Sequence, residues 1–254
     1  MAALRPCTLL LPVAALLFFC AAGFAVRFPD PPGAWLLSLA AVAAIAAPPL
    51  AALLRLFGPA RWLAALALLS AFAFAVESLG VATGWPYGRF YYGEGLGPLL
   101  GGLVPYLLPV SYVPLVVGAV AAARHPRSRP LWTLRSAALL TLIDGVLDPG
   151  AALLGFWVWP GGGPYYGVPA SNYLGWLLSG AVSSAVLVLL WPRGSPAPPA
   201  LLDGTLLALA FWTGVAAFGG LALPAALGVA LLAAFLARRA GIRGCARVTF
   251  LKKN

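Results

Sequence analysis

The sequence predicts an all-α fold, a polytopic transmembrane helical bundle of about seven to eight helices with a duplicated helical hairpin. Three observations lead there. Of 254 residues, 62% are hydrophobic and only 9% charged, against about 45–50% and about 25% in a soluble domain, so charge is too sparse to cover a water-exposed surface. Apolar runs recur at lengths near the ~20 residues that a bilayer-spanning helix needs. A nine-residue motif occurs twice, each time after a run that carries carboxylates.

Taken in order, the spans are expected at Thr8–Val26, Trp35–Leu56, Trp62–Val81, Leu99–Ala122, Leu131–Leu154, Asn172–Trp191, Leu201–Ala217 and Leu221–Ala237. Together they make one integral membrane domain over residues 1–254. The first has Arg5, an apolar core and small residues at Ala21–Gly23, as a signal peptide does. Its 19 residues exceed a cleaved apolar segment, so it reads as a retained span. The second carries Pro48 and Pro49, and Pro105, Pro109 and Pro114 are expected to kink the fourth. Gly219 and Gly220 leave the last two runs as either a tight turn between helices or one broken segment.

The formal charge of +10 would suggest nucleic acid as a partner in a soluble protein. Here it has another cause. With the N-terminus inside, thirteen of the sixteen basic residues fall on one face, from Arg5 through Arg55, Arg124 and Arg193 to a basic tail at 238–254. The other face receives Arg27 and Arg89, and Arg135 lies within the fifth span. The positive-inside rule then places both termini in the cytoplasm. Cys7, Cys20 and Cys245 form no C-x-x-C; the first two are 13 residues apart on one helix, about 20 Å and far beyond disulfide reach. One histidine, His125, excludes a histidine-based metal site.

Trp85–Gly93 and Trp159–Gly167 share W-P-x-G-x-x-Y-Y-G, with six identities in nine at an offset of 74 residues. The simplest account is a duplicated hairpin, third span with fourth and fifth with sixth, related in parallel.

Six acids exist. Asp30 and Glu94 fall in expected outer loops and Asp203 at a membrane entry, where water solvates them. Glu77, Asp144 and Asp148 lie inside spans, where a carboxylate costs about 2.5–3.5 kcal/mol and marks a functional path. Asp144 and Asp148 are four apart, on one helix face. The offset sets Glu77 opposite Ala151, three residues past Asp148. All three acids therefore share a face, and twin hairpins can aim them at one cavity beneath the repeated loops.

Aromatic residues surround these positions: Trp85, Tyr87, Tyr91 and Tyr92 in the first loop, Tyr106 and Tyr112 in the fourth span, and Trp157, Trp159, Tyr165 and Tyr166 around the second loop. Aromatic belts at membrane interfaces explain part of the set. The repeated spacing with fixed glycines fits folded loops that close over a pocket and bind substrate.

Carboxyls, aromatic faces and an apolar cavity suit acid chemistry on an alkene. Desolvation keeps a carboxylic acid neutral and proton-bearing, ring faces favour a desolvated cation, and a second carboxylate can orient water. Adding water needs no redox cofactor, and no cofactor motif is present.

The stretches Glu77–Gly88, Val104-Pro-Tyr-Leu-Leu-Pro109, Asp144-Gly-Val-Leu-Asp-Pro149 and Tyr165–Trp176 resemble the membrane carotenoid-biosynthesis hydratases, the group of bisanhydrobacterioruberin hydratases and bacterial CruF-type carotenoid 1',2'-hydratases. The likeness runs from Glu77 to Trp176, about 100 residues. It implies a hydro-lyase that hydrates the terminal isopropylidene double bond of an acyclic carotenoid in the bacterial cytoplasmic membrane. Substrate, water and the lipid bilayer would be its partners, with room for other carotenoid-pathway membrane enzymes. It also points to Glu77, Asp144, Asp148 and Asn172 as motif positions, without saying which donates the proton.

Two other readings compete. A membrane prenyltransferase could use Asp144-x-x-x-Asp148 to hold magnesium and diphosphate, although no Asp-Asp pair is present and basic residues are scarce on the acidic side; loss of activity on chelation would favour it. A proton-coupled transporter also uses intramembrane acids, typically near the midplane between inverted repeats. Proton flux with unchanged pigment would favour that one.

Overall fold

The computed structural model describes residues 10–29, 33–125 and 127–251; for Glu94 and residues 243–251 only the backbone is described. Arg5, Cys7, Asp30, Lys252 and Lys253 lie outside the described residues. Among those described, eight helices form the bundle: α1 (Leu10–Arg27), α2 (Ala34–Phe57), α3 (Pro59–Thr83), α4 (Leu108–Ala122), α5 (Arg129–Leu153), α6 (Ala170–Leu190), α7 (Asp203–Phe218) and α8 (Ala222–Leu251). Seven segments, all but α4, are long and apolar enough to cross a bilayer, α7 together with the short 3-10 turn before it. The chain is thus an integral membrane protein by length and composition.

The fourth span needs correction. Leu99–Pro105 is not helical: β2 (Leu99–Leu100) and β3 (Val104–Pro105) pair as a hairpin. Gly101 and Gly102, at φ of 60° and 72°, make its turn, a left-handed backbone that side chains with a Cβ resist. Pro105 therefore lies in β3 and Pro109 in the first turn of α4, and only Pro114 is inside the helix. The 15-residue α4 rises about 22 Å, short of a bilayer core.

Helix α5 packs mainly on α6, α7 on α1 and α8, and the core lies between α4, α5, α6 and α7. Close approach depends on small residues. Pro49 inside α2 removes the donor that would have reached the Ile45 carbonyl, and Gly204 of α7 sits against that oxygen. A Cβ at Gly204 would stand 2.5 Å from Ile45 O and 2.8 Å from Pro49 Cγ.

Helices α7 and α8 are separate. Gly219 N donates to Val215 O and Leu221 N to Ala216 O, both at 2.8 Å, so the glycine pair closes α7 and turns the chain.

Two assignments at the basic end also change. Asp203 is not simply solvated but receives Arg239 Nε at 2.6 Å and Nη2 at 3.0 Å, with both side chains largely covered. Arg239 and Arg238, assigned to a tail, lie on α8, and Arg238 Nε donates to Ala122 O at 2.9 Å. Breaking a bidentate pair strands a partly desolvated acid. Arg239→Met is therefore expected to cost about 1.5–3 kcal/mol, read as a lower unfolding temperature in detergent, whereas Arg55→Met on the same face should leave it unchanged.

Candidate functional site

The two repeated loops meet across a short antiparallel ladder. Strand β1 (Tyr91–Tyr92) pairs with β4 (Trp157–Val158), Tyr92 opposite Trp157, and Gly93 N donates to Phe156 O at 2.9 Å. A Cβ at Gly93 would collide with the Gly155 carbonyl, so glycine there lets the two loops touch. Each strand supplies one donor to one acid. Tyr92 OH donates to Glu77 Oε2 at 2.8 Å, and Trp157 Nε1 donates to Asp148 Oδ1 at 3.1 Å. The two rings meet edge to face at 6.1 Å.

Asn172, in the first turn of α6, faces the acids of α5. Its Nδ2 donates to Asp144 Oδ2 at 3.1 Å and also to Asp148 Oδ2. All three side chains are buried, at 1% exposure for Asp144 and 2% each for Asp148 and Asn172. The shared Asn172 amide sets the two carboxyls side by side, and the Tyr92–Trp157 ring pair joins Asp148 to Glu77. Asp144 Oδ1 is buried with no partner among the described residues. Arg135 is exposed on α5, and among the described residues it pairs with none of the acids.

Tyr87 forms the wall between α3 and α6. A Cβ at Gly80 would lie 2.9 Å from Tyr87 Cδ2, and one at Gly175 would lie 2.5 Å from Tyr87 Cδ1, so the ring is clamped between two bare helix positions. It meets Phe90 edge to face, and Phe90 meets Tyr92 the same way. Burial, followed by the nearby Glu77, pushes the Tyr87 phenol above its usual range. The same two causes push the Tyr92 phenol well above its own. Both remain proton-bearing donors. On the far side, Tyr112 OH shares a 2.7 Å hydrogen bond with Ser183 Oγ, and its ring packs on Trp176.

The structure thus brings Glu77, Tyr87, Tyr92, Tyr112, Asp144, Asp148, Trp157 and Asn172 to one region between α3, α4, α5 and α6, with Trp159 buried behind Phe90. Other expected substrate contacts lie apart from the acids. Trp85 and Tyr91 are 57% and 52% exposed. Tyr106 packs beside Gly97, below the β2–β3 hairpin.

The second lid departs most from expectation. Tyr165 packs edge to face on Tyr173, while Tyr166 is exposed, at φ 52°, and its OH accepts from Leu223 N of α8. The physical reason is that ladder pairing comes after the repeated Trp-Pro in the first copy and before it in the second, so equal sequence positions meet unequal neighbours. Ser179 and Ser183 were missed. They follow Asn172 by seven and eleven residues on α6, a helical-face spacing that could have shown them.

This fold and buried acid cluster define a polytopic membrane protein with a cluster of polar side chains enclosed by four helices and a two-stranded lid. A family model described as carotenoid biosynthesis protein matches residues 33–235, most of the chain, and the protein belongs to that family. It is 39% identical over 168 residues to the bisanhydrobacterioruberin hydratase of Haloarcula japonica, a match covering 61% of this chain and 56% of that relative. The chain therefore spans little more than half the length of this curated relative. No solved structure matches it.

Proposed function

We propose that the protein is a carotenoid hydratase, adding water to the terminal isopropylidene double bond of an acyclic carotenoid. The observation that carries this reading is the convergence of Glu77, Asp144 and Asp148, under a lid that gives two of them separate donors. Two buried carboxyls bridged by one amide, with no cation beside them among the described residues, are best accommodated by one shared proton. Asp144 Oδ1, the oxygen without a partner, is the outlet for it.

The alkene π pair takes this proton at its monosubstituted carbon, leaving a tertiary cation on the carbon that bears two methyls. The rings of Tyr92, Trp157 and Tyr112 are grouped about the acids, and an aromatic face favours such a cation by about 2 kcal/mol or more when desolvated. Glu77, oriented by the Tyr92 hydroxyl, positions the water and receives its proton as the C–O bond forms. Proton exchange among the acids restores the starting state, so the sum is one water added and a tertiary alcohol formed.

The test is expression in bacteria that accumulate lycopene, with pigments resolved by chromatography and mass spectrometry. A product heavier by one water is expected. Unchanged pigment with the protein present in the membrane would overturn the reading for that substrate class, and proton flux in its place would favour a transporter.

A further inference from the structure

A cavity of about 320 Å³ opens at the end of the bundle opposite the acids, lined by Arg124, His125, Arg129, Trp132, Trp191 and Arg193 among others. It lies where α4 ends, α5 begins and α6 ends. Arg129 is 15 residues before Asp144 on α5, about 22 Å along the helix, so the cavity is a separate place.

Its chemistry is one-sided. Three guanidinium groups and an imidazole line it, and none of its lining residues is acidic. Among the described residues, Arg124 Nε and His125 Nδ1 are buried with no hydrogen-bond partner. A buried guanidinium donor without a partner is uncommon and calls for an acceptor. The Arg124 guanidinium lies 5.8 Å over the Trp132 ring, and Trp132 meets Trp191 edge to face at 5.2 Å, giving an aromatic floor under a cationic rim. The positive end of the α5 helix dipole points the same way.

We infer that this cavity binds a phosphate-bearing anion, the headgroup of an anionic phospholipid. Guanidinium groups match phosphate oxygens by bidentate donation. The position at the ends of three packed helices puts the site at headgroup level, where tryptophans also concentrate. A free phosphate ester offers the same oxygens but has no acyl chains to lie along the exposed leucines of α5 and α6, Leu134 and Leu189.

The test uses the full-length protein in neutral detergent, with thermal unfolding followed by tryptophan fluorescence. Phosphatidylglycerol is expected to raise the unfolding temperature by about 5 °C or more near saturation, and phosphatidylcholine to leave it unchanged. Because Arg129 and Arg193 are exposed, the double variant Arg129→Gln/Arg193→Gln should fold and weaken the phosphatidylglycerol response about tenfold in concentration. A charge-matched control at residues that do not line the cavity, Arg55→Gln/Arg61→Gln, should respond like wild type.

Equal responses to both lipids, or equal losses in variant and control, would overturn the site. A shift with glycerol 3-phosphate as large as with phosphatidylglycerol, lost in the same double variant, would uphold the anion site and overturn its lipid occupant.

Discussion

Glu77→Gln is expected to lower hydration by about 10³-fold or more while leaving the protein folded in the membrane. Glutamine has nearly the shape of glutamic acid, and its carbonyl still accepts the Tyr92 hydroxyl that now reaches Glu77 Oε2 at 2.8 Å. What it loses is the capacity to take a proton from the attacking water, a step that general bases typically accelerate by about 10²–10⁴. Tyr92→Phe keeps the base and removes only its orienting donor, so a loss nearer tenfold is expected, the equivalent of one hydrogen bond of about 1.4 kcal/mol. Alkali should not reproduce the Tyr92→Phe effect. The Tyr92 phenol is held above its usual range in the fold, whereas in the unfolded chain it ionises near pH 10. Stability from this group is therefore fully present below about pH 10 and is lost as pH rises from there through the higher value it has in the fold, so alkali weakens the fold while the Tyr92–Glu77 bond is still made. Hydrated pigment measured at equal membrane protein levels checks each point, and near-native turnover in Glu77→Gln would remove Glu77 from the mechanism.

Seven of the eight spans could be read from hydrophobic runs because burial in lipid demands apolar length, and the three acids stood out because intramembrane charge is costly. The fourth span misled for a definite reason. Leu99–Pro105 is as greasy as a helix, but two glycines and flanking prolines fold it as a hairpin, and hydrophobicity alone does not distinguish the two. Asp203 and Arg239 are 36 residues apart in sequence, and no local pattern joins them. The acid site shows the same division. The repeat pointed to Tyr92 as a lid residue, but the pairing of Tyr92 with Trp157 depends on two loops meeting across the bundle. Gly80 and Gly175 fall within the motif stretches, but only the structure shows why they are bare: Tyr87 is wedged between them.

Asp148→Asn and Asn172→Leu should separate chemistry from architecture on the other side of the acid cluster. Asn172 has two amide hydrogens, and the structure directs them to two carboxyls, Asp144 and Asp148. In Asp148→Asn the side-chain oxygen can still accept from Trp157 Nε1, but the new NH2 replaces the oxygen that accepts from Asn172 Nδ2, and the pair can no longer hold and release a shared proton. Hydration should fall by about 10²–10⁴, with a loss of stability no larger than that of one hydrogen bond, about 1 kcal/mol. In Asn172→Leu both acids stay ionisable and lose their common donor in a buried setting, a penalty of about 1–3 kcal/mol for each stranded group. That variant should lose stability and activity together, with the unfolding temperature down by several degrees. Thermal unfolding beside pigment analysis distinguishes the two patterns. If Asp148→Asn hydrated at the native rate, the proton would not be one shared with Asp148, and Asp144 or Glu77 would have to donate it alone.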